Sequence, residues 1–152
     1  MSNRHYPRER GIATIEFTIV VPVLLLLMFG VTEIGRAIVR YNALTKAVQD
    51  GARFAAAYAL LGSTGAVNID AQLLTDVRNV VVYGNAAGAG NPMLQGLQTA
   101  QVQLIDAGGD QIRLDASYLY QPLFGAVLPN FGLGSSTATG FVMQASVSMR
   151  AL

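Results

Sequence analysis

The sequence predicts an α+β protein in which one long amino-terminal helix, apolar enough in its first half to cross a membrane, packs by its outer half on a small antiparallel sheet. Three observations predict it: an apolar run behind a basic end, an apolar spacing of three and four residues that continues past that run, and a switch to period two in the last third. The 152 residues are 52% hydrophobic and 12% charged, where ordinary soluble domains are roughly 25% charged. Much of the chain is therefore not built to face water. The length suits one core better than two.

Residues 1–10 carry Arg4, Arg8 and Arg10 against Glu9, a bias that keeps this end in the cytoplasm. From Ile12 to Thr32 the only charge is Glu16, and as a helix this run covers roughly 31 Å, enough for a hydrocarbon core of about 30 Å. An ordinary signal peptide would end in small residues, whereas this run meets Thr32-Glu33-Ile34-Gly35-Arg36. Pro22 lies inside the run, removes the hydrogen bond its amide would give to Thr18, and invites a kink. Ile38, Tyr41, Leu44, Ala47, Val48, Ala52 and Ala55 then carry the helix on to about Leu61, where Gly62-Ser63-Thr64-Gly65 ends it. Gly51, Ala52, Ala55, Ala56 and Ala57 would let another element approach closely.

A second helix is expected from Asp70 through Val82, although Val80-Val81-Val82-Tyr83 also fits a strand. Gly84 to Pro92 reads as a flexible loop. Val102 and Leu104, then Ile112 to Tyr120, then Phe141 to Met149 alternate with polar residues and read as three strands, with Gly108-Gly109 at a tight turn that needs positive φ. Pro122 to Gly132 is unusually apolar for a surface connection; it either folds over the sheet or exposes a patch. The resulting organisation is a basic leader at 1–11, a transmembrane helix at 12–34 and an outer domain at 35–152 that includes the outer half of the long helix.

Several functions are disfavoured. Ten Lys and Arg balance nine Asp and Glu, so no global charge favours nucleic acid. There is no cysteine, and the one histidine, His5, lies in the basic leader, so neither a Ser-His-Asp triad nor a soft-metal site can be assembled in the body of the protein. Gly84 to Gly90 lacks the spacing of a phosphate-binding loop. Asp106, Asp110 and Asp115 read as solvated turn and strand residues in preference to a cation site. No enzyme, cofactor or metal site is expected.

The informative residues are at the amino end. A carboxylate in lipid costs several kcal/mol, so Glu16 needs a partner. Cleavage after Gly11 would create one in the new cationic amine of Ile12, in the same chain or in a neighbouring subunit. In an uncleaved anchor, Glu16 would instead reach back to the headgroups. Arg53, among small residues, reads either as an inter-subunit or domain-locking ion pair or as part of a solvated helix face.

Gly11 followed by four residues and then Glu16-Phe17 resembles the processing signal of type IVb prepilins and pseudopilins, which a prepilin peptidase cuts after the glycine. Asp50-Gly51-Ala52-Arg53-Phe54-Ala55, Arg78 to Asn85 and Tyr118 to Phe124 are similar to stretches of TadE-like proteins of the tight-adherence (Flp) pilus system. Phe17 stands where the major Flp pilins usually have Tyr, and the carboxy-terminal domain is much larger than theirs, so the resemblance is to the minor pseudopilin. It implies a pilin-like fold and a non-catalytic role in assembly of an adhesive pilus. Its implied partners are the prepilin peptidase, the inner-membrane assembly platform and other pilins, and its implied location is the inner membrane with the outer domain in the periplasm. The alternative is an uncleaved single-pass membrane protein whose outer domain binds an envelope component.

Overall fold

The computed structural model of the chain describes residues 9–60, 67–123 and 140–151. Most of the basic leader, the Gly62 to Gly65 helix end and the apolar connection from Phe124 to Gly132 lie outside the described residues. The chain forms two units, Met1–Arg36 and Ala37–Leu152. Helix α1, Glu9–Tyr58, contributes to both.

In the first unit α1 is a continuous helix that carries Pro22 within it. Its described side chains from Gly11 to Val20 are all exposed, as are Val23 to Met28, so within this unit the described residues leave most of the apolar run open. Proline leaves the Thr18 carbonyl without its helical donor. The Thr18 and Thr32 hydroxyls donate to the carbonyls four residues back, at 2.7 and 2.8 Å, which satisfies both hydroxyls in an apolar surrounding.

In the second unit the outer half of α1 buries one face: Leu44, Val48, Ala52 and Ala55 enter the core, followed by Ala59 just past the helix end. The helix ends at Tyr58, three residues before the expected Leu61, and the Ala59 carbonyl accepts the Asn68 N–H at 2.8 Å as the chain returns. Helix α2, Ala71–Tyr83, starts where Asp70 accepts the Leu73 N–H at 2.7 Å and stops where Gly84 turns left-handed at φ 77. Val80 to Tyr83 are therefore helix, and Val77, Val81 and Val82 are buried. The strand alternative fails because burial at Leu73, Val77 and Val81 follows a period near four.

Strands β1 (Val102–Gly108), β2 (Gln111–Tyr120) and β3 (Phe141–Arg150) form an antiparallel sheet in the order β1-β2-β3. Alternate β2 residues, Ile112, Leu114, Ala116, Tyr118 and Tyr120, face the core, and the buried Tyr118 hydroxyl donates to the Gln95 carbonyl at 3.0 Å. The β1–β2 turn is shifted by one residue from expectation. Gly109 and Asp110 occupy its two positive-φ positions, at 61° and 62°, while Gly108, at φ 80, is paired with Gln111 beside a bulge. Asp110 can hold this geometry because Asp tolerates the left-handed region better than most residues.

Gly51 sits at a close approach of three elements. A Cβ there would fall on the Val81 side chain and within 3.0 Å of Leu114 Cδ2, so α1, α2 and β2 meet where there is no space for a methyl group. Of the expected small-residue face, Ala52, Ala55 and Ala56 are buried and Ala57 is exposed. Gly51→Val should cost about 1–3 kcal/mol through overpacking, read as a lower thermal midpoint of the full chain in detergent. Gly30→Val, where nothing lies within 4 Å of the added atom, should change it little.

Candidate functional site: the amino end of the long helix

Gly11, Ile12, Glu16 and Phe17 all lie in the first turns of α1, and all four side-chain positions are exposed. Gly11 is helical and open, and a Cβ at this position would meet nothing within 4 Å. Glycine in a helix interior costs about 1 kcal/mol relative to alanine, and here neither the chain's packing nor a special φ requires it. Any requirement for glycine lies in what approaches it. The Gly11–Ile12 bond lies two residues after Glu9, the first described residue of α1.

Among the described residues no cation pairs with Glu16. At the other end of the apolar run Glu33 and Arg36 form an ion pair of 4.0 Å, with side chains 19% and 36% exposed. In the sequence this stretch reads only as the end of the span. The signal for the pair is the i, i+3 spacing of opposite charges. Arg53 is exposed and pairs with Asp50 of the same helix at 3.6 Å, so within one chain it does not lock the helix to the sheet.

The three hairpin aspartates go to separate partners. Asp106 accepts the Gly108 N–H at 2.8 Å, Asp110 faces Arg150 at 3.8 Å, and Asp115 accepts Arg113 Nε at 2.9 Å. Among the described residues no group of three His, Cys, Asp or Glu is placed to hold a metal. Asp115 lies in a shallow hollow of about 270 Å³ on the outer face of the sheet, beside Gln103, Ser117, Gln144 and Ser146. Partial burial alone would raise its pKa, but the Ser146 hydroxyl and the Arg113 guanidinium outweigh this and hold the carboxyl below its ordinary value.

The glycine-rich connection differs from the flexible loop expected of it. Asn85 Oδ1 accepts the Ala89 N–H at 3.1 Å, its Nδ2 donates to the Tyr83 and Ala89 carbonyls, and Asn79 Nδ2 donates to the Ala86 carbonyl at 2.9 Å. Asparagines stitch the loop to the end of α2, and their ability to mimic backbone turns was the missed signal.

The apolar span, the processing-like residues at its head and the buried outer face therefore all fall on one helix. Residues 11–53 match the family model of TadE-like proteins. No curated protein and no solved structure matches the chain. The TadE-like segment starts at Gly11 and ends at Arg53, so it takes in the exposed run and most of the buried face of α1. The similar stretches noted at Arg78 to Asn85 and Tyr118 to Phe124 lie beyond it. By length and composition α1 fits a single membrane crossing.

Because Asp115 has a lowered pKa in the folded chain, the stability it contributes is present above about pH 4 and is lost as pH falls through the folded value. Its side chain is 30% exposed, so the effect should stay below about 1 kcal/mol. Asp115→Asn should lower the thermal midpoint slightly at neutral pH and flatten its decline between pH 5 and 3, measured by circular dichroism.

Proposed function

We propose that this protein is a minor pseudopilin acting in assembly of a tight-adherence (Flp, type IVb) pilus, with no catalysis of its own. The observation that supports this most is the TadE-like match beginning at Gly11, at the head of a helix whose first apolar run is largely exposed among the described residues. In this reading a prepilin peptidase recognises the basic leader and cuts after Gly11, where the open helix face leaves room for its approach. The new Ile12 amine then partners Glu16, in the same chain or a neighbouring one. The apolar run anchors the protein in the inner membrane, and Arg4, Arg8 and Arg10 hold the leader inside while the outer domain faces the periplasm. Other pilins and the assembly platform are its partners.

The second reading, an uncleaved anchor with an envelope-binding outer domain, is favoured by one observation. Helix α1 runs unbroken through the Gly11–Ile12 bond, so cleavage requires local unwinding.

Mass spectrometry of the protein from cells that contain the peptidase should find Ile12 at the amino terminus. Intact Met1 or Ser2 ends there would reject the pseudopilin reading. Gly11→Val should leave a full-length precursor in the membrane, whereas Glu16→Ala should still be cleaved but assemble poorly. Arg53→Ala should change stability by less than about 0.5 kcal/mol, as expected for an exposed i, i+3 pair, so a pilus defect in that variant would locate an inter-subunit contact. A reporter fused after Leu152 should be active only in the periplasm.

A further inference from the structure

Along α1 charge and exposure separate past Thr32. Between Thr32 and Asn42 the exposed positions are Ile34, Gly35, Ile38, Val39 and Tyr41, none of them charged, while Glu33, Arg36 and Arg40 are half-buried. These three stand at spacings of three and four residues, in line along the helix with the buried Leu44 and Ala47. The change comes at Asn42. From there to Arg53 every exposed position is polar: Asn42, Lys46, Gln49 and Arg53. The exposed apolar side of α1 therefore does not end with the first charge after the run. It ends at Tyr41, which lies with Ile38 and Val39 in the second unit.

Three features say what covers this side. It continues, on the same unbroken helix, the apolar run that fits a membrane crossing. Its arc is wide, because Ile38 and Val39 are about 100° apart around the helix and both are more than half exposed, whereas a partner helix needs only a narrow seam. It ends on a tyrosine beside an arginine. A tyrosine ring has an apolar body and a polar tip, and an arginine reaches lipid phosphate along its apolar stem, so both suit a membrane surface. Among the described residues no acid pairs with Arg40. The length agrees. As a helix Ile12 to Tyr41 covers about 45 Å, which matches a bilayer with its headgroups, about 40–45 Å, where Ile12 to Thr32 fills only the hydrocarbon layer.

We propose that lipid covers the exposed side of α1 as far as Tyr41, so that the second unit is itself seated in the headgroup layer. Tyr41 marks the boundary, and Arg40 meets the phosphates of anionic phospholipid at that level. The Glu33–Arg36 pair lies below it, on the half-buried side of the helix. Charge is tolerated at that depth because it is paired and close to the surface, while leaving Ile34, Ile38, Val39 and Tyr41 in water would forfeit the burial of four large side chains. Leu44, a fully buried residue of the outer core, follows Tyr41 by three residues, about 4.5 Å of helix. No stalk separates that core from the membrane.

The proposal rests on the proposed membrane anchor, and not on its orientation, on cleavage or on a pilus. The chain has no tryptophan, so a single one introduced at an exposed position reports its own surroundings. The full chain is placed in vesicles of phosphatidylethanolamine and phosphatidylglycerol, with or without phospholipid brominated near its headgroup or near its chain ends. Leu27→Trp, in the middle of the span, should be quenched most by bromine at the chain ends. Ile38→Trp and Tyr41→Trp should lose roughly half their emission to bromine near the headgroups, and Lys46→Trp, beyond the boundary, almost none. If Ile38→Trp loses helix by circular dichroism, Val39→Trp makes the same test. Quenching at Leu27 that is absent at Ile38 or Tyr41, because water, another helix or another part of this chain lies there, overturns the proposal and leaves the anchor standing. Quenching that reaches Lys46 undiminished does the same. No quenching at Leu27 removes the anchor and the proposal with it.

Discussion

The packing of the outer unit depends on the contact at Gly51, where α1 approaches α2 and β2 more closely than any side chain would allow. Burial at Leu44, Val48, Ala52, Ala55 and Ala59 follows from that approach, because small residues on the carboxyl side of the face let the backbone come in while Leu44 and Val48 fill the space nearer the amino side. Close packing of this kind tolerates little volume change. The rest of the unit is arranged around it: Asp70 and Gly84 fix the ends of α2, Arg78 ties α2 to the first residue of β1, and β2 presents five alternating residues to the same core.

Helix α1 therefore answers to two surroundings. Beyond Ala43 one face is buried by the chain and the other is polar, with Lys46, Gln49 and Arg53 exposed. Before Arg36 most of the described apolar side chains are exposed, and burying each one would be worth roughly 1.5–3 kcal/mol. A helix that leaves so much apolar surface open is stable only where lipid or another helix supplies the missing contact. The Glu33–Arg36 pair stands where the two surroundings meet in sequence, and pairing lowers the cost of carrying charge at the end of an apolar run.

Most of this fold was legible in the sequence because its elements have strong and different periods. The spacing of Leu44, Ala47, Val48, Ala52 and Ala55 and the two-residue spacing of Ile112 to Tyr120 each match burial in the structure, whereas Ile38 and Tyr41, expected on the same helix face, are exposed. What was less legible depended on single side chains. Val80 to Tyr83 is β-branched enough for a strand, and only the Gly84 cap and the buried i, i+4 positions make it helix. The hairpin turn slipped by one residue because a bulge at Gly108 is set by pairing with β2, which no local pattern reveals. At the amino end, spacing identified Gly11 and Glu16, but their roles are chemistry between molecules, and a single chain offers no partner geometry from which to read them.

The family match over residues 11–53 takes in the exposed apolar span and most, not all, of the buried face of α1, which continues to Ala55 and Ala56. The sheet lies outside the match, and its distinguishing features are of another kind. One edge is closed by Arg78, α2 and a bulge, while the other is long, regular and nearly uncharged. An open edge exposes backbone groups that water satisfies only while no strand competes for them. Among the described residues the sheet is therefore asymmetric, with Arg78 reaching the β1 edge and no strand paired with the outer side of β3.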